Sequence, residues 1–470
     1  MDRHQSTDLS AWLHTRRRKP LIIHGARQVG KSTLVELLAQ KEGRSLSTIN
    51  LERHPYLSEV FASNDPLAIV NMLRSILDAP LSAEGILFLD EIQAVPAAIA
   101  SLRYFLEEMP RLPVLAAGSL MEFTLADQAF SMPVGRVNYL HVGPMTFTEF
   151  LNGIGKVGLA RTIDQFEWLV GQKGTPMPQP IHERLLEHLR LYHYVGGMPE
   201  AVSVFADSGS LRDVSGVHAN IIDTYRDDFP KYAARRDLTR MLRVFNFAAR
   251  QPGRKVKFSN VSPNDQSATI RRDIDLLAMA RVVAKVTHST CSGLPLQADL
   301  KENVYKLLFL DVGLMNAICG VGWETLQANG TTDWVNAGTS AEQFIGQHLQ
   351  SLLAGRPNRE LTYWLREGRS NNAEVDYVVE LAGQIVPVEV KAGRVGTLKS
   401  LHQFAAEQET ALAVRFDASQ PSLQAVRADV RTKDSARSVR YWLLSLPLYL
   451  VERLPELVKG VLTSGALRQG

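Results

Sequence analysis

Short, unbroken apolar runs recur through the first third of the chain: Leu21-Ile22-Ile23, Ile86-Leu87-Phe88-Leu89 and Leu112–Ala117, with Ser47–Leu51 and Val137–Val142 as more polar strand-like stretches. Runs of this length without polar alternation suit strands buried on both faces of a parallel sheet. Between them, from Lys31 onward and over Pro66–Leu77, apolar residues return at helical spacing. Strand and helix in alternation predict a doubly wound α/β sheet with right-handed crossovers over residues 1–142. At Gly143 the pattern changes. Helical stretches then dominate to residue 235, broken by the proline-rich Gln172–Pro180 loop and by Gly196-Gly197-Met198-Pro199. Met241–Arg250, Lys257–Val261 and Ser267–Met279, followed by a strand at Val282–Val286, outline a winged helix-turn-helix over 236–300. From 301 to 470 the strand runs Val304–Leu310, Leu361–Leu365, Glu374–Val379, Gln384–Lys391, Ala411–Phe416 and Arg440–Leu444, with a helix at Thr339–Leu353, predict a mixed α/β domain.

The first apolar run ends in a specific loop. Gly25-Ala26-Arg27-Gln28-Val29-Gly30-Lys31-Ser32, followed by Thr33, matches G-x-x-x-x-G-K-[ST] at every fixed position. Successive backbone N–H groups in such a loop form an anion nest, and the helix that follows adds partial positive charge. Gly25 and Gly30 permit the backbone angles that nest requires. The pattern predicts a nucleotide site, with Lys31 on the β/γ-phosphates and Ser32 on Mg²⁺.

Ile86–Leu89 runs into Asp90 and Glu91. Carboxylates at the C-terminal end of a central parallel strand fall in the crevice where α/β sheets bind ligands. Asp90 is expected in the Mg²⁺ shell and Glu91 as the general base that polarises the attacking water. Ser119, after Leu112–Gly118, is a candidate γ-phosphate sensor, or else part of a simple strand-to-helix turn. Arg136 is a candidate arginine finger for a neighbouring subunit, or else one half of a surface ion pair.

Near the C-terminus a second constellation stands out. In Gln384–Lys391, Val386, Val388 and Val390 share one face while Pro387, Glu389 and Lys391 share the other. Asp376, on the preceding strand, can reach the same patch. Asp376 and Glu389 make a hard oxygen site suited to Mg²⁺. Lys391 would stabilise developing negative charge, and Glu342, from the preceding helix, could complete the set. A solvated ion pair on an edge strand, or a domain that keeps the fold without cleaving, is the alternative. Lys399 is a weaker phosphate-contact candidate, and Arg271 and Arg272 are placed to meet DNA bases or phosphates if the winged helix binds DNA rather than protein.

Composition adds bounds. At 470 residues the chain exceeds what one core serves, so two to four domains are expected. A net charge of +3 does not by itself argue for nucleic acid. Arg16-Arg17-Arg18-Lys19 is a local basic cluster that reads equally as a solvated strand entry. Cys291 and Cys319 lack metal-type spacing and fit a reducing, cytoplasmic setting. No signal-peptide-like segment and no 18-residue apolar run occurs, so no membrane anchor is expected.

Taken together, Gly25–Ser32, Ile86–Gln93, Gly118-Ser119, Gly135-Arg136, Gly143–Leu151, Gly196–Pro199, Phe309–Leu314, Tyr363-Trp364, Glu374–Tyr377 and Val388–Ala392 resemble one family. It is the bacterial and archaeal AAA-type P-loop ATPases that end in a domain of unknown function with a restriction-endonuclease-like fold. The resemblance implies an ATPase core with a helical lid, a winged helix-turn-helix and a nuclease-like C-terminal domain. It also implies homo-oligomers, plausibly hexamers. Two functions follow as expectations: DNA remodelling or translocation with Mg²⁺-dependent cleavage of branched or single-stranded DNA, or a nucleotide-dependent switch that binds DNA or protein without cutting.

Overall fold

The computed structural model describes residues 3–77, 81, 84–118, 135–167, 176–231, 237–324, 338–356, 360–367, 372–391, 398–431 and 436–463. The chain divides into two compact units, Met1–Met145 with Asp275–Val282, and Thr146–Ile274 with Val283–Gly470.

The first unit is built on a five-stranded sheet of β1 (Leu21–His24), β2 (Leu46–Asn50), β3 (Ile86–Asp90), β4 (Val114–Gly118) and β5 (Asn138–His141). Its order is β2-β3-β4-β1-β5 and every pairing is parallel. The apolar runs are buried as expected: β1 and β4 are covered at every position, and Ile22, Leu87, Leu89, Ile99, Leu102 and Phe105 share one core. The fourth strand starts two residues later than Leu112, after Pro113, which has no N–H to give a ladder. Because β4 lies between β1 and β3, the P-loop strand and the acidic strand flank it, and all three end on the same edge of the sheet.

The second unit is built on an eight-stranded mixed sheet. Its strands are β6 (Val283–Ser289), β7 (Leu300–Phe309), β8 (Leu361–Arg366), β9 (Ala373–Leu381), β10 (Gln384–Val390), β11 (Leu412–Asp417), β12 (Ser422–Arg431) and β13 (Ala436–Pro447). The order is β12-β13-β11-β10-β9-β8-β6-β7. Strands β8, β9 and β10 form an antiparallel meander, and β11 pairs parallel to β10 after the Lys399–Gln408 helix.

Two expectations about domain limits change here. The strand anticipated as a β-wing, β6, pairs antiparallel with β7 and parallel with β8, so a boundary at 300 would cut through one sheet. Val283, Val286, Tyr305, Leu307 and Phe309 are buried on these two strands, where a free wing would leave such side chains wet. The helices of 143–235 likewise share the core of the second unit and do not stand as a separate domain. The Phe147–Gly153 helix starts with a Thr146 capping box, and its Phe147 N–H donates to His348 Nε2 at 2.9 Å. Phe147, Phe150, Tyr192 and Phe344 stack edge-on in one aromatic cluster. Among the described residues no helix is long and apolar enough to cross a membrane.

The Gly196-Gly197 break is explained by Asp311. This fully buried carboxylate caps the Val312–Ile318 helix, accepting from Gly313 N at 2.9 Å and Leu314 N at 3.0 Å, and also accepts from Gly197 N at 2.7 Å. Gly196 has φ +72°, and a Cβ there would collide with the Asp311 carboxylate. Replacing Asp311→Ala would orphan three buried N–H donors. The expected cost is on the order of 3 kcal/mol, read as a lowered thermal midpoint of the second unit by calorimetry. An unchanged midpoint would remove Asp311 as its fastener.

Candidate nucleotide site and acid cluster

The buried β1 delivers the chain to Gly25, which packs so closely on the Val142 carbonyl that a Cβ would overlap it. The loop turns with left-handed backbone at Gln28 (φ 61°) and Gly30 (φ 87°), and the Lys31–Lys41 helix begins at once. Ala26 and Val29 are buried, Arg27 is half-buried, and Gln28 and Thr33 are exposed. Lys31 is 8% exposed; its Nζ donates to Gly25 O at 3.0 Å and Ala26 O at 2.8 Å, so the ammonium sits inside the loop. Ser32 Oγ donates to Asp90 Oδ2 at 3.0 Å. Burial, and then the neighbouring Glu91 charge, push the Asp90 carboxyl above its usual range, while the Ser32 bond opposes this. Asp90 Oδ1 accepts from Glu91 N at 3.1 Å. The two residues expected to share Mg²⁺ are thus already hydrogen-bonded to each other. A glycine that leaves no room for a Cβ, an inward lysine and a desolvated carboxylate on a hydroxyl fit a Mg²⁺-nucleotide.

Glu91 adopts φ 50° and ψ 47°, which a non-glycine residue seldom takes, and its carboxylate accepts from Gln93 Nε2. Gln93 in turn lies where a Cβ on Gly118 would be, so Gly118 keeps the β4 end open to it. Two site residues escaped sequence reading. Gln93 had no signal beyond its closeness to Glu91. Arg3 had none at all: it is 7% exposed and bridges Val29 O at 3.0 Å and Gly143 O at 2.7 Å. Arg136 pairs with Glu107 at 3.3 Å, the ion pair foreseen as its alternative. Ser119 lies outside the described residues.

In the second unit, β9 and β10 bring the expected acids together. Val390 N donates to Asp376 Oδ2 at 2.7 Å, and Lys391 Nζ donates to Glu389 Oε1. Glu389 is 4% exposed, and among the described residues its Oε2 has no hydrogen-bond partner. Burial and the adjacent Asp376 charge push its carboxyl up to about 8, against the pull of Lys391. Two buried carboxylates that repel each other, one with a vacant oxygen, are a donor pair that fits a cation. Lys399 is exposed at the start of the next helix.

Glu342 stands at the same cluster, its carboxyl raised by burial and by the Asp376 charge among others, and is paired with a lysine. Lys306, fully buried on β7, takes it at 3.0 Å and also takes Glu374 at 2.5 Å, with Asp376 at 4.0 Å. Burial alone would lower the Lys306 ammonium; Glu342, Asp376 and Glu374 together hold it above its usual range. Its Nζ also lies 4.9 Å from the Tyr363 ring centre. Among the described residues no three His, Cys, Asp or Glu side chains stand together as a metal cage; two of these acids are spent on Lys306. A lone lysine in the otherwise apolar Val304–Leu310 run was the available signal for it.

Residues 17–151 match the AAA domain family. That region is similar to the AAA domain family. Residues 186–325 and 337–442 match two domains of unknown function, DUF8612 and DUF4143. Among solved structures, the Aeropyrum pernix ORC2 protein in its ADPNP-ADP complexes is 12% identical, covering 69% of this chain and 94% of that one, with a TM-score of 0.37. The Thermotoga maritima RuvB Holliday junction branch migration motor is 13% identical over 61% and 90%, with a TM-score of 0.29. At these scores neither bears on function. No curated protein sequence matches the chain.

The raised Glu389 carboxyl has a sign that can be checked. Its unfolded form ionises near the ordinary 4.5 and its folded form near 8, so between those values the folded state holds more protons. Stability from this group therefore falls as pH rises through that window. In the presence of a chelator, the thermal midpoint of Glu389→Gln is expected to decline less from pH 5 to pH 8 than that of the parent. Parallel declines would contradict the burial of this charge.

Proposed function

We propose that the chain is an ATP-hydrolysing AAA-type DNA-processing protein, with ATP consumed at the P-loop and a DNA strand cut at the Asp376–Glu389 site. The observation that carries the first half is the 3.0 Å bond between Ser32 Oγ and Asp90 Oδ2 inside a loop closed around Lys31. Ser32 and Asp90 would hold Mg²⁺, Lys31 would meet the phosphates, and Glu91, steadied by Gln93, would orient and deprotonate water. Asp376 and Glu389 would hold a second Mg²⁺, and Lys391 would neutralise charge on the phosphate. Mg²⁺ bound at either site supplies Lewis acidity and a more acidic water.

The vacant Glu389 Oε2 supports cleavage. The capture of Glu342 and Glu374 by Lys306 supports the second reading, a nucleotide-dependent switch whose nuclease-like domain only binds. Ring assembly, with Arg136 reaching a neighbour's nucleotide, belongs to the first reading. Sedimentation with and without ATP tests it, and a monomer under both conditions removes that role.

Lys31→Ala is expected to lower ATP turnover by about 100-fold or more. Glu91→Gln should lower kcat by roughly 10²–10⁴ while leaving ATP binding in place. Turnover at the parent rate in Lys31→Ala would sink the assignment. Incubation with Mg²⁺ and single-stranded, branched or duplex DNA tests the second half: cleavage by the parent and none by Glu389→Ala/Lys391→Ala is expected. Identical behaviour of the two leaves the switch reading.

A further inference from the structure

The arginines singled out as possible DNA contacts, Arg271 and Arg272, are exposed on the Ser267–Met279 helix, and a second group of arginines stands on the Leu238–Arg250 helix. The Leu238–Arg250 helix places Arg243, Asn246, Phe247 and Arg250 at i, i+3, i+4 and i+7, so they share one face. That face and the turn after it, with Gln251 and Arg254, line an open cavity of about 640 Å³. Among the described residues no carboxylate lines it. Arg243 is engaged with Ser262 Oγ and Asp265, each at 3.3 Å. Among the described residues no hydrogen bond or ion pair occupies the Arg250 or Arg254 guanidinium, and both are exposed. Phe247 is half-buried at the same wall, with amides on either side of it.

The turn has a second neighbour. Gly253, between Gln251 and Arg254, donates its N–H to Leu307 O at 3.1 Å, and a Cβ there would collide with the Glu342 carboxylate. Val256 N bonds Tyr305 O at 2.9 Å in the same way, so the segment is laid along β7 beside Lys306. The wall of the cavity and the acid cluster are therefore one glycine apart.

We propose that this cavity binds a single strand of nucleic acid, with backbone phosphates on Arg250 and Arg254 and a base stacked on Phe247, beside the acid cluster. Guanidinium groups without protein partners meet phosphate by paired N–H donors. An aromatic ring between amides receives a base with little sequence preference. An acidic peptide would use the arginines but not the ring, and is the lesser fit. The inference rests on the proposed DNA partner and not on ATP turnover or cleavage.

The test is fluorescence anisotropy of a labelled single-stranded oligonucleotide on the full chain, in EDTA and without ATP. Arg250→Ala/Arg254→Ala is expected to lose at least about tenfold in affinity, and its log–log salt slope should shrink by about 1.4, two phosphates at about 0.7 each. Phe247→Leu should lose on the order of tenfold with the slope unchanged. Arg427→Ala/Arg440→Ala removes the same charge from exposed, facing positions of β12 and β13 and should stay within about twofold. Thermal midpoints report that each variant is folded. The proposal is overturned if the parent does not bind, if the β12/β13 pair loses as much, or if Phe247→Leu binds like the parent. Loss of cleavage reading alone leaves these results untouched.

Discussion

Burying the ammonium of Lys306 is the constraint around which the second unit is arranged. A charge with no water around it must be paired, or several kcal/mol are lost. The pairing partners come from different elements: Glu342 from the Gly338–Leu353 helix, and Glu374 and Asp376 from β9. Lys306 itself stands on β7, so one cation ties three elements distant in sequence to a single point. Asp376 is shared, held by this charge on one side and by the Val390 N–H of β10 on the other. The Glu389–Lys391 pair is then left as the chemically open part of the cluster.

The two candidate sites differ in how their parts are held. At the P-loop the fixing is local and made mostly of backbone: left-handed turns at Gln28 and Gly30, carbonyls on Lys31, and a hydroxyl on Asp90. In the acid cluster it is made of charged side chains across a sheet. The first can form wherever the loop sequence follows a buried strand, whereas the second depends on register between β9 and β10, where Val388 faces Tyr377.

That difference accounts for what could be read from the chain alone. Gly25–Ser32 and Asp90-Glu91 were legible because strand, turn and helix start are neighbours in sequence. The β10 face was legible through its two-residue alternation, and Asp376 through the strand before it. The role of β6 was not, since a strand's partner is decided by pairing with distant segments, here β7 and β8. The pairing of Glu342 with Lys306 had no signal nearby in sequence, since the two lie on different elements. Arg3 and the Asp311–Gly197 bond lie 140 and 114 residues from their far partners, beyond any periodicity.

The bridge made by Arg3 has a consequence for how the phosphate loop is held. One guanidinium holds a buried residue of the phosphate loop, Val29, to Gly143, just past the final strand of the sheet. Segments 140 residues apart are thereby clasped across the loop itself. Arg3 acts here as a latch on the loop.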